Sequence, residues 1–186
     1  MIIDSEEIFL KPIEVEDTDD IIKWRNSDVV RHKFLDQNDF TREGHLKWLS
    51  ERVMTGQVAQ FIICVKPENC PVGSAFLRDI DYKNKKAEFG IFIGEDFARG
   101  RGIGTKTAKL IIRHGFETLK LHKIFLRVLA DNINAVKSYK KAGFTQEAYL
   151  KDEVILDGRY RDIILMAVLN NAVQAGDIAT EISGVR

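Results

Sequence analysis

The most constraining feature of this sequence is one short turn. Arg99-Gly100-Arg101-Gly102-Ile103-Gly104-Thr105 lies between an apolar run at 87–94 (AEFGIFIG) and a helical pattern running to about residue 119. A nearly continuous apolar run of that length reads as a buried, central strand. Ala108, Ile111, Ile112, Gly115 and Leu119 recur at helical spacing behind the turn. Glycines let backbone N–H groups converge, and a helix start adds unpaired N–H groups and a positive dipole end. A strand, a glycine-rich turn and a helix in that order make a seat for a phosphate or pyrophosphate. Arg99, Arg101 and Lys106 add positive charge. The plain alternative is a turn that only packs tightly. Two familiar phosphate motifs fail on spacing. A P-loop needs Lys directly after the last glycine, and Thr105 intervenes; a dinucleotide fingerprint needs glycine where Thr105 stands.

The rest of the chain frames that turn. Strands are expected near 8–12, 58–65, 72–80, 87–94, 123–130, 144–156 and 160–169, on β-branched and aromatic content. Helices are expected over 17–27, from Thr41 to Gly56, behind the glycine turn, and from Asn132 or Asn134 to Gly143. Asp157-Gly158 between two strand runs is a type I′ hairpin signal. Gly90, inside a strand, suggests a bulge or a close approach. The run 87–94, its helix and the run 123–130 form a βαβ crossover, so those two strands are parallel. The fold class is therefore α/β, layered as α+β. It is one domain over residues 1–170, with a mixed, mostly antiparallel seven-stranded sheet, a parallel central pair and helices on both faces. Residues 171–186 read as a weak helix or a frayed tail.

Composition narrows the function classes. At 186 residues, with 45% apolar and 30% charged residues, the chain can bury a real core. Lys+Arg and Asp+Glu are both 28, so there is no basic excess to make a large nucleic-acid footprint. No apolar run approaches the ~20 residues of a membrane span, and the N-terminus lacks the pattern of a signal peptide. Cys64 and Cys70, the only cysteines, make neither a disulfide framework nor a metal site, and no other ligand cluster has metal spacing. A cytoplasmic setting without a metal is the expectation.

The pattern around the turn resembles a known family. Arg-x-x-Gly-x-Gly opening a helix after the fourth main strand is similar to the acyl-CoA pyrophosphate loop of the GNAT N-acetyltransferase superfamily. Downstream, Asn132, Asn134-Ala135, Tyr139 and Lys141-Ala142-Gly143-Phe144 resemble that family's second signature, and Asp157-Gly158 with Tyr160 and Arg161 resembles its ending. The resemblance spans roughly residues 7–169. It implies acetyl-CoA as co-substrate, with residues 57–170 as the CoA-binding core and residues 1–56 as the acceptor side. By the same resemblance Phe92, Ile93 and Gly94 contact the pantetheine arm. Arg99, Gly100, Arg101, Gly102, Ile103, Gly104 and Thr105 hold the pyrophosphate, and Asn134 is a further pantetheine contact whose plain alternative is a helix cap.

The implied chemistry is direct transfer of an acetyl group to a primary amine in a ternary complex. Free alkyl amines titrate near ~10, so a base or a water relay must remove a proton. A backbone N–H of the 87–94 strand would stabilise the oxyanion. Tyr139 matches the family's acid position, which protonates the departing thiolate. Glu88, a carboxylate on a central strand, is either a base acting through water or the partner of a lysine at a strand end. His32 and His45 are the other candidate bases.

On the acceptor side, Trp24-Arg25-Asn26, Val30-Arg31-His32 and His45-x-x-Trp48 resemble the branch holding ribosomal-protein, spermidine and amino-sugar N-acetyltransferases. They look closest to enzymes acting on nucleotide-linked amino sugars. That implies Trp24, Arg25, Asn26, Arg31 and His45 as substrate-binding residues; the plain alternative is that the tryptophans are core. A peptide or polyamine acceptor is the rival reading. A non-catalytic acyl-CoA-binding module and a nucleotide-binding protein are rivals from other classes. The C-terminal hairpin offers an edge through which a homodimer could form.

Overall fold

The computed structural model describes residues 2–171; the expectation for residues 172–186 lies outside the described residues. Eight strands form one sheet in the order β1-β2-β3-β4-β5-β6-β8-β7. They are β1 (Ile3–Asp4), β2 (Ile8–Pro12), β3 (Ala59–Val65), β4 (Cys70–Asp81), β5 (Lys86–Ile93), β6 (Lys123–Leu129), β7 (Thr145–Leu156) and β8 (Arg159–Leu169). The seven expected strands are all present. The eighth, β1, is a two-residue edge pairing with β2, too short for any periodicity to signal. β7 lies at the far edge of the sheet, as the hairpin expectation required.

The helices are α1 (Thr18–Asn26), α2 (Asp28–Arg31), α3 (Arg42–Trp48), α4 (Ile103–Glu117) and α5 (Ile133–Ala142). Thr41 caps α3, its hydroxyl accepting from the Gly44 N–H at 3.1 Å. The α3 path continues as a π-helical turn over Leu49–Val53, so the helical stretch ends before Gly56, which has φ +74°. Asn132, not Asn134, caps α5, accepting from the Ala135 N–H. Gly143 closes it in the left-handed region at φ 112°. The 157–158 turn has φ 51° at Asp157 and 72° at Gly158, the signs a type I′ turn needs.

Strand alternation divides the core into two layers. On β3, Phe61 and Ile63 face α4 together with Ala108, Ile111, Ile124 and Leu126. Ile62 and Cys64 face the other way, against Ile21, Trp24, Val30, Leu49 and Phe92. The helices α1 to α3 therefore cover one face and α4 and α5 the other. Gly115 lets α4 close on the sheet, because a Cβ there would stand 2.6 Å from Ile124 Cδ1. Gly90 is a close approach rather than a bulge. The β4–β5 register runs unbroken past it, and the Phe76 ring occupies the space a Cβ would fill, 2.3 Å away.

Candidate active site: a split between two parallel strands

The parallel pair exists only at its base. Pairing between β5 and β6 covers Lys86–Glu88 against Lys123–Phe125 and then stops, although β5 continues to Ile93 and β6 to Leu129. Gly94 N–H donates to Val72 C=O at 2.7 Å. In an antiparallel ladder every second residue bonds the same neighbour. Phe92 and Gly90 therefore turn their backbone groups to β4, while Ile91 and Ile93 turn their N–H groups into the split. Of the three expected pantetheine contacts, Ile93 leaves only its N–H to the split, its C=O being taken by Arg99; Gly94 gives its N–H to β4 and its C=O to Arg99, and Phe92 turns its backbone to β4. Phe92 instead lends its ring to the cavity.

The split opens into a cavity of about 1270 Å³ that reaches both faces of the sheet edge. At one end sits the glycine turn. Gly100 and Gly102 have φ +74° and +77°, and a Cβ on either would meet nothing within 4 Å. Both glycines are thus required by backbone conformation and leave open space at the start of α4. Ile103 is buried and anchors the turn, while Thr105 Oγ1 lies 2.8 Å from Ser138 Oγ on α5. Arg99 is a brace more than a free charge: its Nε donates to Ile93 C=O at 3.1 Å and its Nη2 to Gly94 C=O at 2.7 Å. It also pairs with Asp96. Gly100, Gly102, Ile103, Gly104 and Thr105 line the cavity with Arg99, and Arg101 is exposed beside it. Among the described residues no group of His, Cys, Asp and Glu could hold a metal ion. No helix among them is long and apolar enough to cross a membrane.

Tyr139 stands on α5 over the split. Its ring meets Phe89 edge-on at 6.1 Å and Phe144 at 5.9 Å. Burial pushes its phenol up to about 12, so it stays protonated at neutral pH. Asn134, freed from capping by Asn132, is exposed on the cavity wall.

On the opposite face Glu88 is almost fully enclosed, at 5% exposure. Arg78 Nε donates to its Oε2 at 3.0 Å, and Arg127 Nε to its Oε1 at 3.1 Å. The ion-pair alternative for Glu88 is thus realised, with two arginines from the flanking strands and no lysine. A proton taken up at Oε2 would displace a guanidinium donor, while Oε1 keeps a free lone pair. Both arginines line the cavity, and sequence reading missed them. The available signal was the demand of a buried carboxylate for partners, since each is the arginine within its strand's run.

The acceptor wall is only partly as expected. Arg25 and His45 line the cavity, as do Trp48, Phe34 and Phe40 from α3 and the loop before it. Arg25 is 5% exposed, with its guanidinium carbon 3.7 Å above the Phe34 ring and 4.5 Å from that of Phe40. Its Nη2 donates to Asp36 C=O, its Nη1 has no partner, and burial lowers its pKa to about 10. His45 Nδ1 lies 3.1 Å from Thr18 Oγ1, its Nε2 is buried without a partner, and burial lowers its pKa. Trp48 Nε1 donates to Gln60 Oε1 at 2.9 Å.

Trp24, Asn26 and Arg31 do not line the cavity. Trp24 is buried against Phe92 and Gly94, and its Nε1 donates to Glu95. Asn26 spends its side chain on both backbone groups of Phe40, at 2.9 and 2.8 Å. Arg31 pairs with Asp39 at 2.8 Å. Trp24 and Asn26 are thus held by partners far along the chain, and Arg31 by an exposed ion pair with a residue eight positions on. His32, half exposed, faces Asp157 rather than the cavity.

A mixed sheet split along its parallel pair, with a glycine-rich helix start at the mouth and a protonated tyrosine above, defines an acyl-CoA-binding acyltransferase. The chain belongs to the GNAT acetyltransferase family: the Acetyltransferase (GNAT) domain matches residues 7–145. It is an acetyl-CoA-dependent N-acetyltransferase. Spermidine N(1)-acetyltransferase of Escherichia coli K12 is 29% identical over 163 residues, covering 87% of this chain and 86% of the relative. A putative ribosomal N-acetyltransferase of Bacillus subtilis is 28% identical over 97 residues, 52% of each chain. The solved spermidine N-acetyltransferase of Vibrio cholerae, in complex with CoA and spermine, superposes with a TM-score of 0.82. It is 25% identical, covering 87% of this chain and 95% of that one.

Proposed function

We propose that the chain acetylates the primary amine of a small molecule, and that a polyamine is its first candidate acceptor. The observation that carries the transfer chemistry is the split between β5 and β6. It leaves the Ile91 N–H facing the position where an acyl thioester would lie along the open strand edge. An amine attacking the thioester carbon forms the C–N bond and pushes the carbonyl pair onto oxygen, giving a tetrahedral oxyanion that the Ile91 N–H stabilises. The C–S bond then breaks, and Tyr139 supplies the proton taken by the thiolate. The proton leaving the amine passes through water to Glu88 Oε1. Glu88→Gln keeps the shape and removes that acceptor, so kcat should fall about 10²-fold while the Kd for CoA holds; an unchanged kcat removes Glu88 from the relay.

The polyamine reading is supported by the spermidine acetyltransferases among the relatives. It also fits the Asp36 and Asp39 carboxylates and the Phe34, Phe40 and Trp48 rings of the wall, which suit an alkyl polycation. A second reading, a nucleotide-linked amino sugar, is favoured by one feature. Arg25, Lys33, Arg78 and Arg127 also line this side, Asp39 and Glu88 are already paired with arginines, and the buried Arg25 Nη1 lacks an acceptor. A donor so placed suits an anionic or oxygen-rich acceptor.

The test is thiol release from acetyl-CoA with spermidine, nucleotide-linked amino sugars and peptides with free N-termini. Saturable release with spermidine supports the first reading, and release only with the amino sugar supports the second. Release only with peptides contradicts both. CoA binding without release on any amine would make the chain a binding module.

A further inference from the structure

Trp24 is displaced from the acceptor wall, and its surroundings assign it other work. Its indole lies flat on Gly94, where a Cβ would stand 2.0 Å from Trp24 Cγ. Its Nε1–H donates to Glu95 Oε1 at 2.7 Å, and Lys23 Nζ donates to the same oxygen at 2.7 Å. Both donors belong to α1, on the acceptor side. Gly94 and Glu95 are the link between the end of β5 and the turn that leads through Asp96–Ala98 to Arg99. The same link is held from behind: Gly94 and Glu95 N–H both donate to Val72 C=O, and Arg99 takes the carbonyls of Ile93 and Gly94. Among these contacts, α1 supplies an aromatic ring and an ammonium.

We propose that Trp24 and Glu95 form a latch through which the acceptor-side helix positions the link between β5 and the glycine turn, making Trp24 a positioning residue for acetyl-CoA and not an acceptor contact. The inference rests on the reading of the glycine turn as the pyrophosphate seat. The hydrogen bond spans 71 residues of sequence and holds a charged oxygen, so its loss frees the link to wander. A phosphate seat built from backbone N–H groups depends on their mutual geometry, and a looser link weakens it without touching the amine.

The experiment is a double-mutant cycle read by acetyl-CoA affinity. Trp24→Phe keeps the ring on Gly94 and removes the N–H donor, while Glu95→Ala removes the acceptor at a partly exposed position. Trp24→Phe should raise the Kd for CoA about 5–10-fold, the loss of one hydrogen bond to a charged group, and Glu95→Ala, which also loses the Lys23 bond, at least as much. The double variant should be no worse than Glu95→Ala alone. KM for the amine should stay within about two-fold, and kcat at saturating acetyl-CoA should fall far less than kcat/KM for acetyl-CoA. Additive losses, or a rise confined to the amine KM, would overturn the latch; the second result would return Trp24 to the acceptor wall. Gly102→Glu, measured alongside, separates this proposal from its premise. If that variant binds CoA normally, the pyrophosphate seat itself is misplaced and the latch falls with it. If it abolishes binding while Trp24→Phe binds normally, the latch alone is wrong.

Discussion

The two halves of the cavity are built on different principles. In the proposed reading the CoA half is made of backbone: strand edges left unpaired by the split, two glycines in the left-handed region, and the first turn of α4. The acceptor half is made of side chains borrowed from across the fold, such as Arg25 between Phe34 and Phe40 or Glu88 between Arg78 and Arg127. Backbone recognition suits a co-substrate that never changes, because N–H geometry depends on fold more than on residue identity. A wall of side chains can be altered one residue at a time without disturbing that seat.

The largest expected effect breaks the backbone half. Gly102→Glu sets a carboxylate at the phosphate seat, and like charges so placed cost several kcal/mol. The Kd for CoA should rise about 10²-fold or more, measured by calorimetry. Gly102→Ala, which shares the backbone strain without the charge, should lose much less; equal losses would assign the effect to strain. Next in size is Tyr139→Phe. It should lower kcat about 10²-fold while CoA affinity holds, since it removes the proton donor and keeps the packed ring. Because burial pushes the phenol up to about 12, the wild-type rate should not fall between pH 8 and 10. A decline there would point to a different acid.

The smallest effect concerns the side-chain half and its stability. His45 is buried and His114 half-buried, and desolvation lowers the pKa of both from 6.5. The unfolded chain therefore binds protons more readily than the folded one as pH drops through 6.5. Stability is full above that value and should decline below it, toward the folded pKa values. His45→Gln should flatten the decline seen in denaturant melts between pH 7 and 5. An unaltered slope would show that His45 does not contribute.

What was legible in the sequence follows the same division. Signals that act locally were read correctly: the Thr41 cap, the Asp157-Gly158 turn, and the strand–glycine–helix order. Asn132 and Asn134 could not be told apart as caps until the start of α5 was fixed, and that choice leaves Asn134 for the cavity. Side chains whose partners come from another segment were not legible. Trp24, Asn26 and Arg31 sit in a segment that resembles an acceptor motif, yet Glu95, Phe40 and Asp39 claim them. Arg78 and Arg127 went unnoticed because nothing near either in sequence marks it; only the pairing of β4 and β6 on either side of β5 brings them to Glu88.

Initial-velocity kinetics with acetyl-CoA and the acceptor identified by thiol release test the central claim most directly. Direct transfer across the split requires both substrates to be bound at once. Double-reciprocal lines at several acceptor concentrations should therefore intersect. Parallel lines, together with an acetyl group trapped on Cys64 or Cys70, would contradict the account and make the enzyme itself the first acceptor.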